Sequence, residues 1–408
     1  MHTPSAADVS EDRLSDPTPR RLLFIVNQAR FFLSHRAPIA AAAAARGWQV
    51  HVAVPIDDER LREEIAATGA TVHAVTMSRA GLHPLENFAS AISLFRVCRR
   101  VKPDIVHLVA LKAVLVGSLA AKAAGIRRRV LAIAGLGCVF QQNDLKSWLM
   151  RSVFRLLLPV LLGCQGRMIV QNDADRTQIG RSSWMRSRIE LIPGSGVDLT
   201  AFQPREGLPR PPFVVLLPAR MIWMKGVGEF VEAARILAAR RTDIRLQLAG
   251  EPDPGNPRTV PPETLEAWQA EGIVDWLGHH DDMPAVLGAA HAVCLPSYYG
   301  EGVPKCLQEA AAAGKPVITT DMPGCRAAVE PDESALLVPP RAPEPLAEAI
   351  ARLADDPALC AQLGRAGRAL AEARFGIDAV VRRHLEIYQS MGFPAPQGAA
   401  GEGVDPLR

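Results

Sequence analysis

Hydrophobic residues along this chain fall in short runs rich in Val, Ile and Leu, and longer polar or amphipathic stretches separate the runs. Runs of that kind read as buried strands of a parallel sheet. In the first half they lie at 21–27, 49–54, 71–75, 105–108, 130–133, 168–171 and 189–192. In the second half they lie at 213–217, 245–249, 274–277, 292–295, 316–319 and 335–338. The intervening stretches have helical character. One is alanine-rich and stops at Gly47, another carries Val227, Phe230, Val231, Ala234 and Leu237 on one face, and an amphipathic one closes the series at 377–388. Strand, helix, strand repeated in this way predicts an α/β protein with parallel sheets.

The polar, proline-rich stretch before residue 213 divides the two series of runs. The expected organisation is therefore two Rossmann-like domains, at 21–199 and 213–374, joined by a linker at 200–212. A terminal helix at 375–390 follows, and the segments 1–20 and 391–408 read as disordered tails. Ligands of open parallel sheets gather at the carboxyl ends of the strands, so the residues just beyond the runs are the candidates for chemistry.

The most informative of these exits follows 292–295. The stretch Pro296-Ser-Tyr-Tyr-Gly-Glu-Gly-Val-Pro-Lys305 leads into a short helix with Pro304 expected at its first position and Gly314 beyond its end. The residue ahead of the proline is Val303, a poor N-cap, so the first backbone N–H groups are left for a ligand, most plausibly phosphate. Glu301 and Glu309 bracket that helix start. An ionised carboxylate in the helix is a two-oxygen acceptor suited to the vicinal hydroxyls of a ribose, which is the role expected of Glu309, with Glu301 nearer a transferred group. Arg220 and Lys225 follow the strand at 213–217, a planar fork and a point charge that suit a pyrophosphate. They could stand in for a divalent metal, and no metal site is expected.

In the first half, Asn27, His35 and Arg36 follow one strand, Arg79 another, and His107 and Lys112 flank a third. The Gly-x-Gly-x-x-Gly dinucleotide fingerprint is absent after the first strand. Asp173-Ala-Asp175 matches a metal-binding Asp-x-Asp, but it stands where a helix begins and acidic residues are favoured by the helix dipole alone. His279 and His280 lack a carboxylate at ligand spacing and read as loop polarity. The segment 146–158 mixes basic and apolar residues at helical spacing, which fits a helix on an anionic membrane surface as well as a core helix with a solvated basic face.

Composition narrows the class. With 46 Lys and Arg against 43 Asp and Glu the formal charge is +3, too small to favour nucleic acid. The seven cysteines form no Cys-x-x-Cys pair and read as reduced packing residues. No apolar run is long enough to cross a bilayer, and the opening segment lacks the core of a signal peptide, so a cytoplasmic protein is expected.

The Glu-x7-Glu element, set in Pro-Ser-Tyr-Tyr-x-Glu-Gly-x-Pro and followed by Gly-Lys-Pro-Val-Ile-x-Thr-Asp-x-x-Gly-Cys, resembles the signature of family 4 retaining glycosyltransferases of GT-B fold. The basic pair resembles that family's Arg-x4-Lys-Gly element. Phe31-Phe-Leu-Ser-His-Arg36, Pro103-Asp-Ile-Val-His107 with Lys112, the loop Gly135-Leu-Gly-Cys-Val-Phe140 and the turn Gly194-Ser-Gly-Val-Asp198 are similar to the bacterial branch that builds capsules, O-antigens and exopolysaccharides. The likeness covers about 21–390.

It implies two lobes facing a central cleft and metal-independent transfer, with no cofactor. A hexose or N-acetylhexosamine would move from a nucleotide sugar, most plausibly UDP-linked, to a saccharide on undecaprenyl diphosphate at the inner face of the membrane. It also implies that Arg220 and Lys225 hold the diphosphate, that Gly302 and Val303 add backbone donors, that Glu309 binds ribose, and that Glu301 is the catalytic contact to the sugar. Relatives often carry a histidine where this chain has Ala134, which removes that group as an acid or base. A nucleotide-sugar epimerase or hydrolase of the same fold, and a non-catalytic two-lobed sugar-binding protein, are the alternatives.

Overall fold

The structure, a computed structural model, describes residues 19–77, 84–135, 145–205 and 211–392. Two parallel sheets account for thirteen strands. The first sheet holds β1 Arg21–Val26, β2 Gln49–Val54, β3 Ala70–Ala74, β4 Ile105–Val109, β5 Arg129–Ala132, β6 Arg167–Val170 and β7 Ile189–Leu191, in the order β3-β2-β1-β4-β5-β6-β7. The second holds β8 Phe213–Pro218, β9 Ile244–Ala249, β10 Asp275–Gly278, β11 Ala292–Leu295, β12 Val317–Thr320 and β13 Ala335–Val338, in the order β10-β9-β8-β11-β12-β13. This is the pair of Rossmann-like sheets the runs call for, and each strand lies within a residue or two of its run.

Both sheets reverse direction of winding next to their first strand. In the first, β1 has β2 on one side and β4 on the other; in the second, β8 lies between β9 and β11. A crevice opens at such a switch point, outside the carboxyl ends of the two strands. The exits of β8 and β11 carry Arg220, Lys225 and Glu301, and the exit of β1 leads to His35 and Arg36.

Helices cover both faces of each sheet, giving two apolar layers per lobe. The C-terminal helix, Ile377–Ser390, packs on the first sheet rather than the second. Its Val380, Leu385, Ile387 and Tyr388 join one core with Phe24, Phe32, Ile39 and Ile105.

The helix Lys305–Ala312 begins one residue later than the sequence places it. Pro304 is the N-cap rather than the first helical residue, with φ −59° and ψ 127°, and it makes no side-chain cap hydrogen bond. Asp173-Ala-Asp175 opens the helix Asp173–Ile179 under an Asn172 cap, so its acidic residues serve a helix start.

Candidate active site

The loops after β8 and β11 are pressed together. A Cβ at Gly226, whose φ is 79°, would collide with the Pro296 carbonyl, so the chain can pass there only as glycine. Tyr298 N–H donates to Met224 C=O at 3.0 Å, and Ser297 Oγ donates to the same carbonyl at 3.2 Å. These bonds bring Lys225, at the end of the turn Trp223–Lys225, onto Glu301, and the two form an ion pair with both side chains 12% exposed. Ser297 Oγ lies 3.1 Å from the same carboxylate oxygen. Burial works against the Lys225 ammonium, but the Glu301 carboxylate outweighs it and holds the pKa above the ordinary lysine value.

Arg220 is held differently. Its guanidinium pairs with Asp253, which is buried while Arg220 stays half exposed. Asn256 Nδ2 also donates to Asp253 Oδ2 at 3.1 Å, and Asp253 N–H donates to Thr259 Oγ1 at 2.8 Å. A fixed carboxylate behind an exposed fork leaves the outer N–H groups of the arginine pointing outward. Glu309 sits a turn into its helix with Lys305 Nζ at 3.7 Å. Burial raises its carboxyl above the usual range in spite of that ammonium.

Lys305 Nζ donates across to Ser34 C=O in the first lobe. His35 stands beside it, stacked on Phe31 at 4.1 Å, and burial together with Lys305 and Arg36 drives its imidazole well below the ordinary histidine pKa. His35 is therefore neutral at pH 7 and stands near the Lys305 and Arg220 cations.

Three expectations need correction. His107 is fully buried: strand alternation puts it on the face of β4 that the C-terminal helix covers, where its Nδ1 lies 2.6 Å from the Tyr388 hydroxyl and its ring stacks on Phe24 and His384. Arg36 is 2% exposed and among the described residues its one hydrogen-bond partner is His35 C=O, at 3.2 Å, so it points into packing rather than into the crevice. Val303 N–H is not left over, because Gln171 Oε1 accepts it at 2.9 Å. Lys112 is buried just past β4, its pKa lowered by burial, and Glu86 is the acid that opposes this. Arg79 and the loop residues 136–140 lie outside the described residues.

Sequence reasoning passed over Gln171, Asn172, Gln308 and Lys305. Gln171 and Asn172 follow the carboxyl end of β6, and the rule that picked out the exits of β1 and β8 applies equally to that exit. Gln308 lay inside the helix between the two glutamates. Among the described residues no group of three or more His, Cys, Asp and Glu is placed to hold a metal.

Residues 200–370 match the family model of group 1 glycosyl transferases, and residues 21–160 match the model of glycosyl transferase 4-like proteins. The chain is 29% identical over 381 residues to an N,N'-diacetylbacillosaminyl-diphospho-undecaprenol alpha-1,3-N-acetylgalactosaminyltransferase of Campylobacter jejuni, covering 88% of this chain and 97% of that one. It is 26% identical over 288 residues to a UDP-Gal:alpha-D-GlcNAc-diphosphoundecaprenol alpha-1,3-galactosyltransferase of Escherichia coli, covering 67% and 72%. Among solved structures, HepE of Anabaena in complex with UDP-glucose superposes with a TM-score of 0.72 at 19% identity, over 91% of this chain and 99% of that one.

Proposed function

Because this chain is a glycosyltransferase of two-lobed GT-B architecture, we propose that it moves a hexose or N-acetylhexosamine from a UDP-sugar to a saccharide carried on undecaprenyl diphosphate, with retention at the anomeric carbon. The Campylobacter and Escherichia relatives, whose names specify such acceptors, support the lipid-linked substrate, and the second also names a UDP-sugar. The family 4 resemblance supports retention.

The observation that carries the reading is the meeting of the Lys225–Glu301 pair and the Arg220–Asp253 pair beside the uncapped start of the Glu309 helix. In the transfer, the bond from the anomeric carbon to the diphosphate oxygen breaks and its electron pair leaves with UDP. A new bond forms to the acceptor hydroxyl, whose proton passes to the departing diphosphate oxygen. Arg220 and Lys225 stabilise the growing charge on the diphosphate, and being already held by carboxylates they need little reorganisation to do so. Glu309 takes the ribose hydroxyls and Glu301 contacts the sugar. Since two fixed cations supply the charge, transfer is expected to continue in EDTA.

The acceptor's lipid makes a membrane-facing surface necessary, and the helix Leu145–Leu162 offers one. Its Phe154, Leu158 and Leu161 pack inward, while Leu145, Trp148, Leu149, Val153, Leu156 and Val160 are exposed, with Arg151 and Arg155 half buried at the flank. Leu85 and Phe88 of the helix Pro84–Val101 are exposed as well. Apolar residues flanked by arginines fit an anionic bilayer surface. No described helix is long and apolar enough to cross a membrane.

The test is UDP release from a panel of nucleotide sugars, with and without lipid-linked acceptor. Acceptor-dependent release supports transfer. Equal release without acceptor would make the protein a hydrolase, conversion of the donor to another nucleotide sugar without release would make it an epimerase, and binding with neither would make it a sugar-binding protein. On vesicles containing phosphatidylglycerol, Trp148→Glu with Leu156→Glu should abolish co-sedimentation; undiminished binding would remove the membrane role of this helix.

A further inference from the structure

The short backbone between Glu301 and its helix is gripped by three side-chain amides, two of them from the other lobe. Gln171 Oε1 accepts Val303 N–H at 2.9 Å, and Asn172 Nδ2 donates to Gly302 C=O at 3.2 Å. From the second lobe, Gln308 Nε2 donates to Val303 C=O at 3.1 Å, and its Oε1 accepts the N–H of Gly196, in the turn that ends the first lobe, at 3.2 Å. Gln171 and Asn172 are 5% and 3% exposed, and Gln308 is fully buried. Three consecutive polar groups of this backbone thus have neutral, directional partners in a water-poor setting, where such bonds fix geometry most strongly.

Close packing adds to the grip. A Cβ on Gly302 would collide with Gln171 Oε1, and one on Gly135 would collide with Gly300 C=O, so the loop lies directly against the first lobe. A Cβ on Gly324 would strike the carbonyls of Glu301 and Gly302 from behind. The Glu301 loop therefore has a wall on each side.

We infer that Gln171 and Asn172 are positioning residues for sugar transfer, an amide clamp through which the first lobe sets the loop that carries Glu301. The inference rests on the reading that Glu301 contacts the transferred sugar. The clamp separates two tasks. Arg220, Lys225 and Glu309, which take the nucleotide, all stand on second-lobe elements, and none of them is hydrogen-bonded to Gln171 or Asn172. Orientation of the sugar, and hence the reaction, depends on the two lobes being joined.

Asn172 has a second duty, since its Oδ1 accepts Asp175 N–H at 2.8 Å and caps a helix. The variants are chosen to respect that. Gln171→Met keeps the length of the side chain and deletes the acceptor. Asn172→Ser keeps an oxygen for the cap, as serine is a good N-cap residue, and loses the reach to Gly302.

The experiment measures UDP affinity by calorimetry, kcat and donor KM for transfer, and the thermal midpoint, on the full chain. Displacement of a catalytic group by even an ångström costs about 100-fold in rate, so kcat should fall by roughly 10- to 100-fold in each variant, and UDP Kd should stay within about twofold of wild type. An unchanged kcat in both variants overturns the clamp. So does a parallel loss of UDP affinity and thermal midpoint, since that would make the two amides supports of the fold alone. Wild-type protein that turns over no nucleotide sugar overturns the transfer reading itself and the clamp with it; an active wild type with unaffected variants overturns only the clamp.

Discussion

Two buried cations, Lys225 in the second lobe and Arg36 in the first, look alike in the sequence and differ in what surrounds them. Lys225 pairs with Glu301 at the switch point of its sheet, and that carboxylate holds the Lys225 pKa above the ordinary lysine value against burial. Arg36 is buried more deeply still, but among the described residues no carboxylate pairs with it, its Nε has no hydrogen-bond partner, and burial pulls its pKa down to about 10. Around it stand His107, His384 and Tyr388, which fasten the C-terminal helix to the first sheet. A buried cation with a carboxylate at a strand exit is equipped to meet a substrate's charge. One surrounded by imidazoles and a phenol is equipped only to pack.

The sharpest way to break this contrast is to neutralise each cation in turn. Lys225→Met should lower kcat about 1,000-fold, since a fixed cation aimed at a leaving group supplies roughly 4 kcal/mol. It should also lower the thermal midpoint by several degrees, because Glu301 is left buried without its partner. A Lys225→Met enzyme with wild-type turnover would end the diphosphate role and the comparison with it. Glu301→Gln, which keeps the shape and loses the charge, should cost about 100-fold in kcat with a smaller effect on UDP affinity; retained turnover would remove Glu301 from the sugar site.

Stability against pH is the next measure, and comparing wild type with a His384 variant isolates the Arg36 side. Burial, with Arg36 nearby, drives the His384 pKa down to about 3, and burial with His384 and Arg36 drives His107 well below its ordinary value. Both are neutral when folded and titrate near pH 6.5 when unfolded. The unfolded state therefore binds the extra protons, so the stability these groups confer is complete above about pH 6.5 and declines as pH falls toward their folded values. Each contributes a slope of up to about 1.4 kcal/mol per pH unit in that window. Urea midpoints from pH 7.5 to 5 should fall steeply for wild type and less steeply for His384→Leu. Equal slopes would mean that His384 is not the neutral, buried group described.

The same contrast marks what could be read from sequence. Strands were legible because parallel strands buried on both faces must be runs of Val, Ile and Leu, and Lys225 with Glu301 was legible because their spacing repeats a known pattern beside strand ends. Arg36 and His107 were misread because a polar residue near a strand end looks the same whether it faces a crevice or a returning helix. The cover comes from Tyr388 and His384, 281 residues beyond His107 in the case of Tyr388, and no local signal announces it. Gln171 and Val303 are 132 residues apart and meet only when the lobes close.

The smallest effects should come from Arg36 itself. Replacing a buried charge that has no carboxylate partner with an apolar side chain of similar volume is neutral or stabilising, because the desolvation of the charge is relieved and only the hydrogen bond to His35 C=O is lost. Arg36→Met should therefore raise stability by about 1 kcal/mol and leave kcat within about threefold of wild type. Tyr388→Phe deletes the hydroxyl that faces His107 Nδ1 at 2.6 Å, leaves that nitrogen without its partner, and should cost about 1–2 kcal/mol with turnover unchanged. If Arg36→Met instead loses turnover on the scale of Lys225→Met, the guanidinium acts on substrate and the division between a substrate-facing cation and a packing one fails. If the two first-lobe variants move stability in opposite directions and leave the rate alone, the cluster's function is to hold the C-terminal helix, and the buried charge is a cost the fold carries there.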